Sequence, residues 1–179
     1  MQYWKNNPEA LAGLLLACAL LGACHAANDA RPQLVLTAAH IERSAAGTWL
    51  RAAIDLRPSD VQLDALQHGV PLTLQLSVRG ADAAAAKVAL TLRYFPLSRR
   101  YQLRVEPGEH DRSFALRGYL FDALTRLRVP LPHDPCLDAA ACRVQVRFDY
   151  AALPGALRLP ALVQSAWRIA PASLTMGAP

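Results

Sequence analysis

The stretch Val88-Ala-Leu-Thr-Leu-Arg-Tyr94, Phe95-Pro96-Leu97-Ser98-Arg99-Arg100, Tyr101-Gln-Leu-Arg-Val105 decides the fold class. Val88, Leu90, Leu92 and Tyr94 occupy every second position, and so do Tyr101, Leu103 and Val105. Successive side chains of a strand point to opposite faces, so this period of two marks two half-buried strands. Pro96, Leu97 and Ser98 interrupt the pattern with turn chemistry. Two alternating runs joined by so short a turn pair antiparallel.

The same pattern extends outward from the hairpin. Upstream, Leu72, Leu74, Leu76 and Val78 alternate with Thr73, Gln75, Ser77 and Arg79. Earlier still, Leu34 to Ala39 and Leu50 to Arg57 flank Ser44-Ala-Ala-Gly47, a hairpin turn. The first run places Leu34, Leu36 and Ala38 on one side. The second shows a clean wet face of Arg51, Ala53, Asp55 and Arg57. Downstream, Val144, Val146 and Phe148 alternate with Arg143, Gln145, Arg147 and Asp149, and Ala166 to Ile169 reads as a last strand.

Two segments switch to helical spacing. Ser59 followed by Gln62 is a capping-box spacing, Val61, Leu63, Ala65 and Leu66 supply apolar positions, and Gly69 stands where the helix stops. From Phe114 to Leu127, residues Leu116, Leu120, Ala123, Leu124 and Leu127 share a stripe, with Gly118 weakening the start. Pro130 and Pro132 end that helix. Leu157 to Leu162 fits either element. The expected fold is α+β and mainly antiparallel, a curved sheet or sandwich of about six to seven strands with two short helices.

Composition narrows the function classes. The chain has 179 residues, is 53% hydrophobic and 18% charged, and carries a net charge of +5. That much apolar content excludes disorder over most of the length. No apolar run reaches the roughly 20 residues of a membrane-spanning helix. The size argues against a two-domain nucleotide enzyme.

The first segment reads as a leader. Lys5 precedes an apolar run from Ala10 to Cys24, the length of a signal-peptide core. Leu21-Gly22-Ala23-Cys24 resembles a bacterial lipobox, which makes Cys24 the lipidation candidate. Ordinary cleavage after Ala26 is the rival. The expected division is a signal peptide over 1–23, an anchor and linker over 24–33, one β-rich domain over 34–170 and a flexible tail over 171–179. Lys5 and Glu9 cancel, so the +5 survives processing. Either cleavage leaves Cys136 and Cys142, an even pair that an oxidising compartment joins as a disulfide.

Five motifs in order carry a family resemblance: Leu63-Asp-Ala-Leu66 with Gly69-Val-Pro-Leu72; Leu92-Arg-Tyr94 with Leu97-Ser-Arg-Arg-Tyr101; Arg112-Ser-Phe114; Arg147-Phe-Asp149 before Leu153-Pro154; and Trp167-Arg168. From Leu34 to Ile169 the chain resembles the exported Gram-negative family catalogued as domain of unknown function 4390. The resemblance implies no established activity, cofactor or catalytic residue. Genes of that family resemble neighbours of a nitrogen-type sensor kinase, which implies an envelope sensing partner. The Pro130, Pro132 and Cys136 loop and a C-terminus without an aromatic ending depart from the family pattern, and with them any shared binding edge.

Specific chemistries find little footing. His40-Ile-Glu42 with Pro135-Cys136 superficially matches a zinc-deaminase signature, but that chemistry needs two thiolates about two residues apart. His133, Asp134, Cys136, Asp138 and Cys142 have the wrong spacing for a common zinc site. Glu106, Glu109, His110 and Asp111 form an acidic turn short of a calcium loop. No nucleophile elbow, phosphate loop or dinucleotide fingerprint occurs. No cofactor is expected.

The arginines are the remaining lead. After the leader, Lys87 is the lone lysine. Arg99, Arg100 and Arg104 cluster on the hairpin beside Tyr94 and Tyr101, and guanidinium forks bind carboxylates and phosphates and stack on aromatics. The expected partner is an acidic envelope protein or an anionic envelope surface, with the membrane reached through a lipid anchor. Nucleic acid is a poor partner for an exported chain without a recognition motif. The rival functions are a small-ligand or lipid binder using the apolar interior of the sheet and, further off, a hydrolase.

Overall fold

A computed structural model describes residues 31–80, 84–108, 111–137 and 139–177. β1 (Gln33–Ser44) and β2 (Gly47–Arg57) form a long hairpin whose last pair is Ser44 with Gly47. Gly47 takes φ +124°, a conformation that suits glycine at this tight reversal. A bulge between Leu36 and Ala38 shifts the phase of β1. Leu34, Leu36 and Ile41 are therefore buried, while Ala38, expected to face inward, is exposed. β7 (Leu127–Pro130) pairs with the other side of β2 and completes a three-stranded sheet.

The second sheet has six strands. β3 (Leu72–Arg79), β4 (Ala86–Phe95), β5 (Arg100–Glu106) and β6 (Arg112–Phe114) form a meander. β8 (Ala141–Phe148) returns to the free side of β3, and β9 (Ala172–Gly177) closes the row. All pairings are antiparallel. The expected class holds, with nine strands in two sheets and three helices among the described residues.

One core joins the sheets. Leu50 and Ile54 of β2 meet Leu74, Leu76, Leu90, Leu92, Leu103, Val144 and Val146, all fully buried. Helix α1 (Asp60–Gln67) has the expected capping box: the Ser59 hydroxyl accepts from the Gln62 N–H, and the Gln62 side chain accepts from the Ser59 N–H. Its buried face uses Leu66 and Gln62, not Val61. Gln62 is buried because it donates to the Trp167 carbonyl at 3.4 Å, and the Ser59 hydroxyl donates to the Ala166 carbonyl at 2.6 Å. The polar cap of α1 thus fastens the 3-10 turn Ser165–Trp167.

Three expectations about elements change. The second helix, α2, runs only Arg117–Thr125 and buries Leu120, Ala123 and Leu124 against β2, β5 and β6. Phe114, where the expected helix begins, and Leu127, the last of its stripe, belong to short strands on either side, and Pro130 ends a strand instead of a helix. Trp167 lies in a 3-10 turn instead of a last strand, its ring tilted against Phe148 at 6.3 Å and its carbonyl held by the Tyr150 hydroxyl. The last strand is β9, inside the segment that reads as a flexible tail. Its inward Ala172, Leu174 and Met176 alternate with Ser173, Thr175 and Gly177. Leu157 to Leu162 resolves as helix α3 (Gly155–Val163). Among the described residues no helix is long and apolar enough to cross a membrane.

At the far end of both sheets lies the Cys136–Cys142 disulfide, with both residues buried. The Gly80 backbone packs directly beneath Pro135 of the same loop.

Candidate functional site

Strand register sorts the hairpin residues onto two faces. Tyr94 pairs with Tyr101, two positions on from the fully buried pair Leu92 and Leu103. Both tyrosines therefore lie on the core side, half-buried, with ring centroids 4.6 Å apart. Arg100 and Arg104 alternate with Tyr101 and point to the outer face. Arg99 sits in the turn with φ +51°. The five candidate residues occupy one hairpin but not one surface.

The outer face itself is broader than the hairpin. Strand by strand it exposes Arg79 on β3, Lys87 and Arg93 on β4, Arg100 and Arg104 on β5, and Arg143 and Arg147 on β8. Gln75, Ser77, Thr91, Gln102 and Gln145 fill the rows between them. Glu106 is the acid among these rows, and Asp111 lies at the edge, where Gln102 donates to it at 2.9 Å. Arg104 pairs with Glu106 at 2.8 Å. Three other guanidinium groups have neutral partners. Arg100 donates to the Ser113 hydroxyl at 2.7 Å, Arg147 to the Gln75 carbonyl oxygen at 2.9 Å, and Arg93 lies over the Phe95 ring at 5.1 Å. None of these three has an acidic partner among the described residues.

Arg79 and Arg143 stand directly opposite each other in the β3–β8 pair. Neither has an acidic partner among the described residues. Both line an open cleft of about 260 Å³, together with Gly80, Ala141, Cys142 and Thr175. Like charges directly across a ladder are unfavourable, and a carboxylate or phosphate between two guanidinium forks removes that cost. The alternation in the sequence already marked both arginines as outward. Their juxtaposition needed the register of two strands far apart in the chain.

The chain matches the family model described as "Domain of unknown function (DUF4390)" over residues 31–176. The protein belongs to the DUF4390 family. No curated protein and no solved structure matches it. The match spans every described strand of the DUF4390 domain up to Met176, including both arginines of the opposed pair.

The remaining candidates of this DUF4390 domain find plain structural settings. Glu42 receives Arg51 and, at 3.1 Å, Arg128, while Arg128 also lies 4.1 Å from the Trp49 ring centre. Its neighbour His40 lines a small pocket with Cys136 and Cys142, but those two sulfurs are bonded to each other and offer no thiolate. Cys24, Asp138, Glu109 and His110 lie outside the described residues. The groove beside His40 measures about 470 Å³, with a floor of Ala38, Ala39, Ala52 and Ala53 and a rim that includes Arg51, Arg126 and Arg128. It is open, and Thr125 and Leu127 complete its lining.

Proposed function

We propose that this DUF4390 domain is an exported, lipid-anchored, non-catalytic interaction module that receives an acidic envelope protein on the outer face of its six-stranded sheet. The observation that carries the reading is the directly opposed Arg79 and Arg143, set in a face whose exposed ionised groups are almost all cationic. Arginine forks on a rigid sheet present donors at fixed spacing, which suits carboxylates of a partner better than diffuse attraction does. Export and anchoring rest on the leader pattern and Cys24.

The test is crosslinking capture from the cell envelope with the full chain. Arg79→Glu with Arg143→Glu, and separately Arg99→Glu with Arg100→Glu, measure the two ends of the face. Loss of the captured protein in the first variant, with unchanged melting, supports the reading. Undiminished capture by both variants overturns it. Cys24→Ala releases the chain from the membrane fraction if the anchor is correct; unaltered fractionation removes the anchor from the proposal.

A further inference from the structure

Leu137 is exposed on the disulfide loop at one end of the fold, while Leu97, Leu159, Leu162 and Val163 are exposed at the other. β4 ends there and β3 begins there, since Leu72 pairs with Leu92, and β8 ends there, since Leu74 pairs with Phe148. The β4–β5 turn, α1 and α3 follow or precede these strand ends. The chain also enters β1 at this end. Gln33 pairs with Arg57, two residues before Ser59, and the Ser59 hydroxyl bonds to Ala166 just beyond α3. The disulfide loop lies at the opposite end, beside the β1–β2 turn.

Helix α3 has an inward and an outward side. Ala161 is fully buried and Leu157 packs against the core. Leu159, Leu162 and Val163 follow the spacing i, i+3, i+4 and stand 75%, 58% and 69% exposed. They form one apolar stripe on the solvent side. Leu97, on the β4–β5 turn at the same end, is fully exposed. From Tyr150 to the C-terminus the sequence contains Arg158 and Arg168 and no acid. Arg158 donates to the Leu153 carbonyl at 2.9 Å and Arg168 to the Val163 carbonyl at 3.2 Å, which holds both cations beside the stripe. Asp60 and Asp64 of α1 share this end of the fold, and Asp64 faces His68 at 3.4 Å.

An apolar stripe flanked by arginines is the composition of a helix that lies in a bilayer interface next to anionic headgroups. Cys24 precedes Gln33 by nine residues, a reach of about 30 Å at full extension. A tether of that length brings the chain-entry end of the domain to the membrane and keeps the disulfide end away. We infer that Leu159, Leu162 and Val163 of α3, together with Leu97, rest on the anionic surface of the bilayer that anchors the chain. The inference rests on the lipid-anchor reading for its geometry. It leaves the cationic sheet face, whose strands run away from this end, open to a protein partner.

The test places a photoreactive residue at position 162 of the full-length chain in living cells, with the same residue at Ala46 of the β1–β2 turn as the distal control. Phospholipid adducts at 162, about tenfold or more above those at 46, are the expected result for interfacial burial. Adducts to protein alone at 162, or no enrichment over position 46, overturn the inference. The same digest reads the mass of Cys24. Acylated Cys24 without lipid at 162 sinks the docking surface and leaves the anchor standing. Lipid at 162 beside an unmodified Cys24 sinks the anchor and leaves the docking surface standing.

Discussion

Arg43 and Asp134 lie 91 residues apart in the chain, and the Arg43 Nε donates to the Asp134 carboxylate at 2.6 Å. The other Asp134 oxygen accepts the Cys136 N–H at 2.9 Å, and Arg43 reaches on to the Cys136 carbonyl at 3.3 Å. One ion pair therefore clasps the first hairpin to the disulfide loop. Burial alone raises the Asp134 pKa, but the Arg43 hydrogen bond, the Cys136 N–H and the charges of Arg43 and His133 outweigh it and hold the carboxyl below its usual range.

Asp134→Asn removes the charge-assisted bond, and a loss of about 1–3 kcal/mol at neutral pH is expected. The sign of the pH dependence follows from the lowered pKa. The contribution is complete above the unfolded carboxylate value, about 4, and disappears as pH falls through the lower folded value. Urea unfolding of both proteins across the acid range checks this. The stability gap between them closes in acid; a gap that stays constant shows that the charge of Asp134 plays no part.

Gly80 and Gly118 predict opposite outcomes for the same substitution. A Cβ on Gly80 would collide with the Pro135 carbonyl oxygen and meet the Ala139 Cβ at 3.0 Å. The obstacle is backbone of a cross-linked loop, which yields little, so Gly80→Ala costs about 1–3 kcal/mol. A Cβ on Gly118, in α2, meets nothing within 4 Å. Gly118→Ala gains about 0.5–1 kcal/mol from helix propensity. Thermal melting of the two variants checks the pair; a stable Gly80→Ala protein means the loop does not press on β3.

The parts of the fold that sequence discloses are those where one residue type recurs at a fixed period. Leu72 to Val78, Val88 to Leu92 and Leu103 to Val105 bury each apolar position that alternation assigns inward. Ser59, Gln62 and Gly69 mark α1 because capping is local chemistry. β6 and β7 escaped because they are three and four residues long, and Leu127 of β7 happens to extend the stripe of α2. β9 escaped because its inward side chains are only half-buried and follow a proline. For the candidate site, the hairpin arginines were legible as a cluster, and alternation within β5 already sets Arg100 and Arg104 on the face opposite Tyr101. The juxtaposition of Arg79 and Arg143 depends on a register between β3 and β8 that no local pattern encodes.

The disulfide should stabilise locally. Cys136 and Cys142 are six residues apart, and closing so short a loop constrains the unfolded chain by about 2 kcal/mol. Cys136→Ser with Cys142→Ser is expected to lower stability by about that amount. Hydrogen exchange should quicken in the loop and at Arg43, while β3, β4 and β5 keep their protection. Exchange that rises equally across the six-stranded sheet would show the bridge to be a global support.

The opposed arginines carry a prediction that separates a binding surface from a merely wet one. If the pair is kept for an anionic partner, the free domain bears the repulsion between Arg79 and Arg143 as a standing cost. Arg79→Thr leaves the strand position filled by a residue that favours sheets and removes that repulsion. The free protein should then gain about 0.2–1 kcal/mol. Arg143→Thr should give a similar gain, and the double variant should gain less than the two combined, because either substitution alone relieves the same contact. Envelope capture should fall in all three. Chemical denaturation and capture yield, measured on the same preparations, check both halves. Gains that add fully would show that the two guanidinium groups do not interact. Relief of the repulsion with capture unchanged would place the partner on another face of the domain.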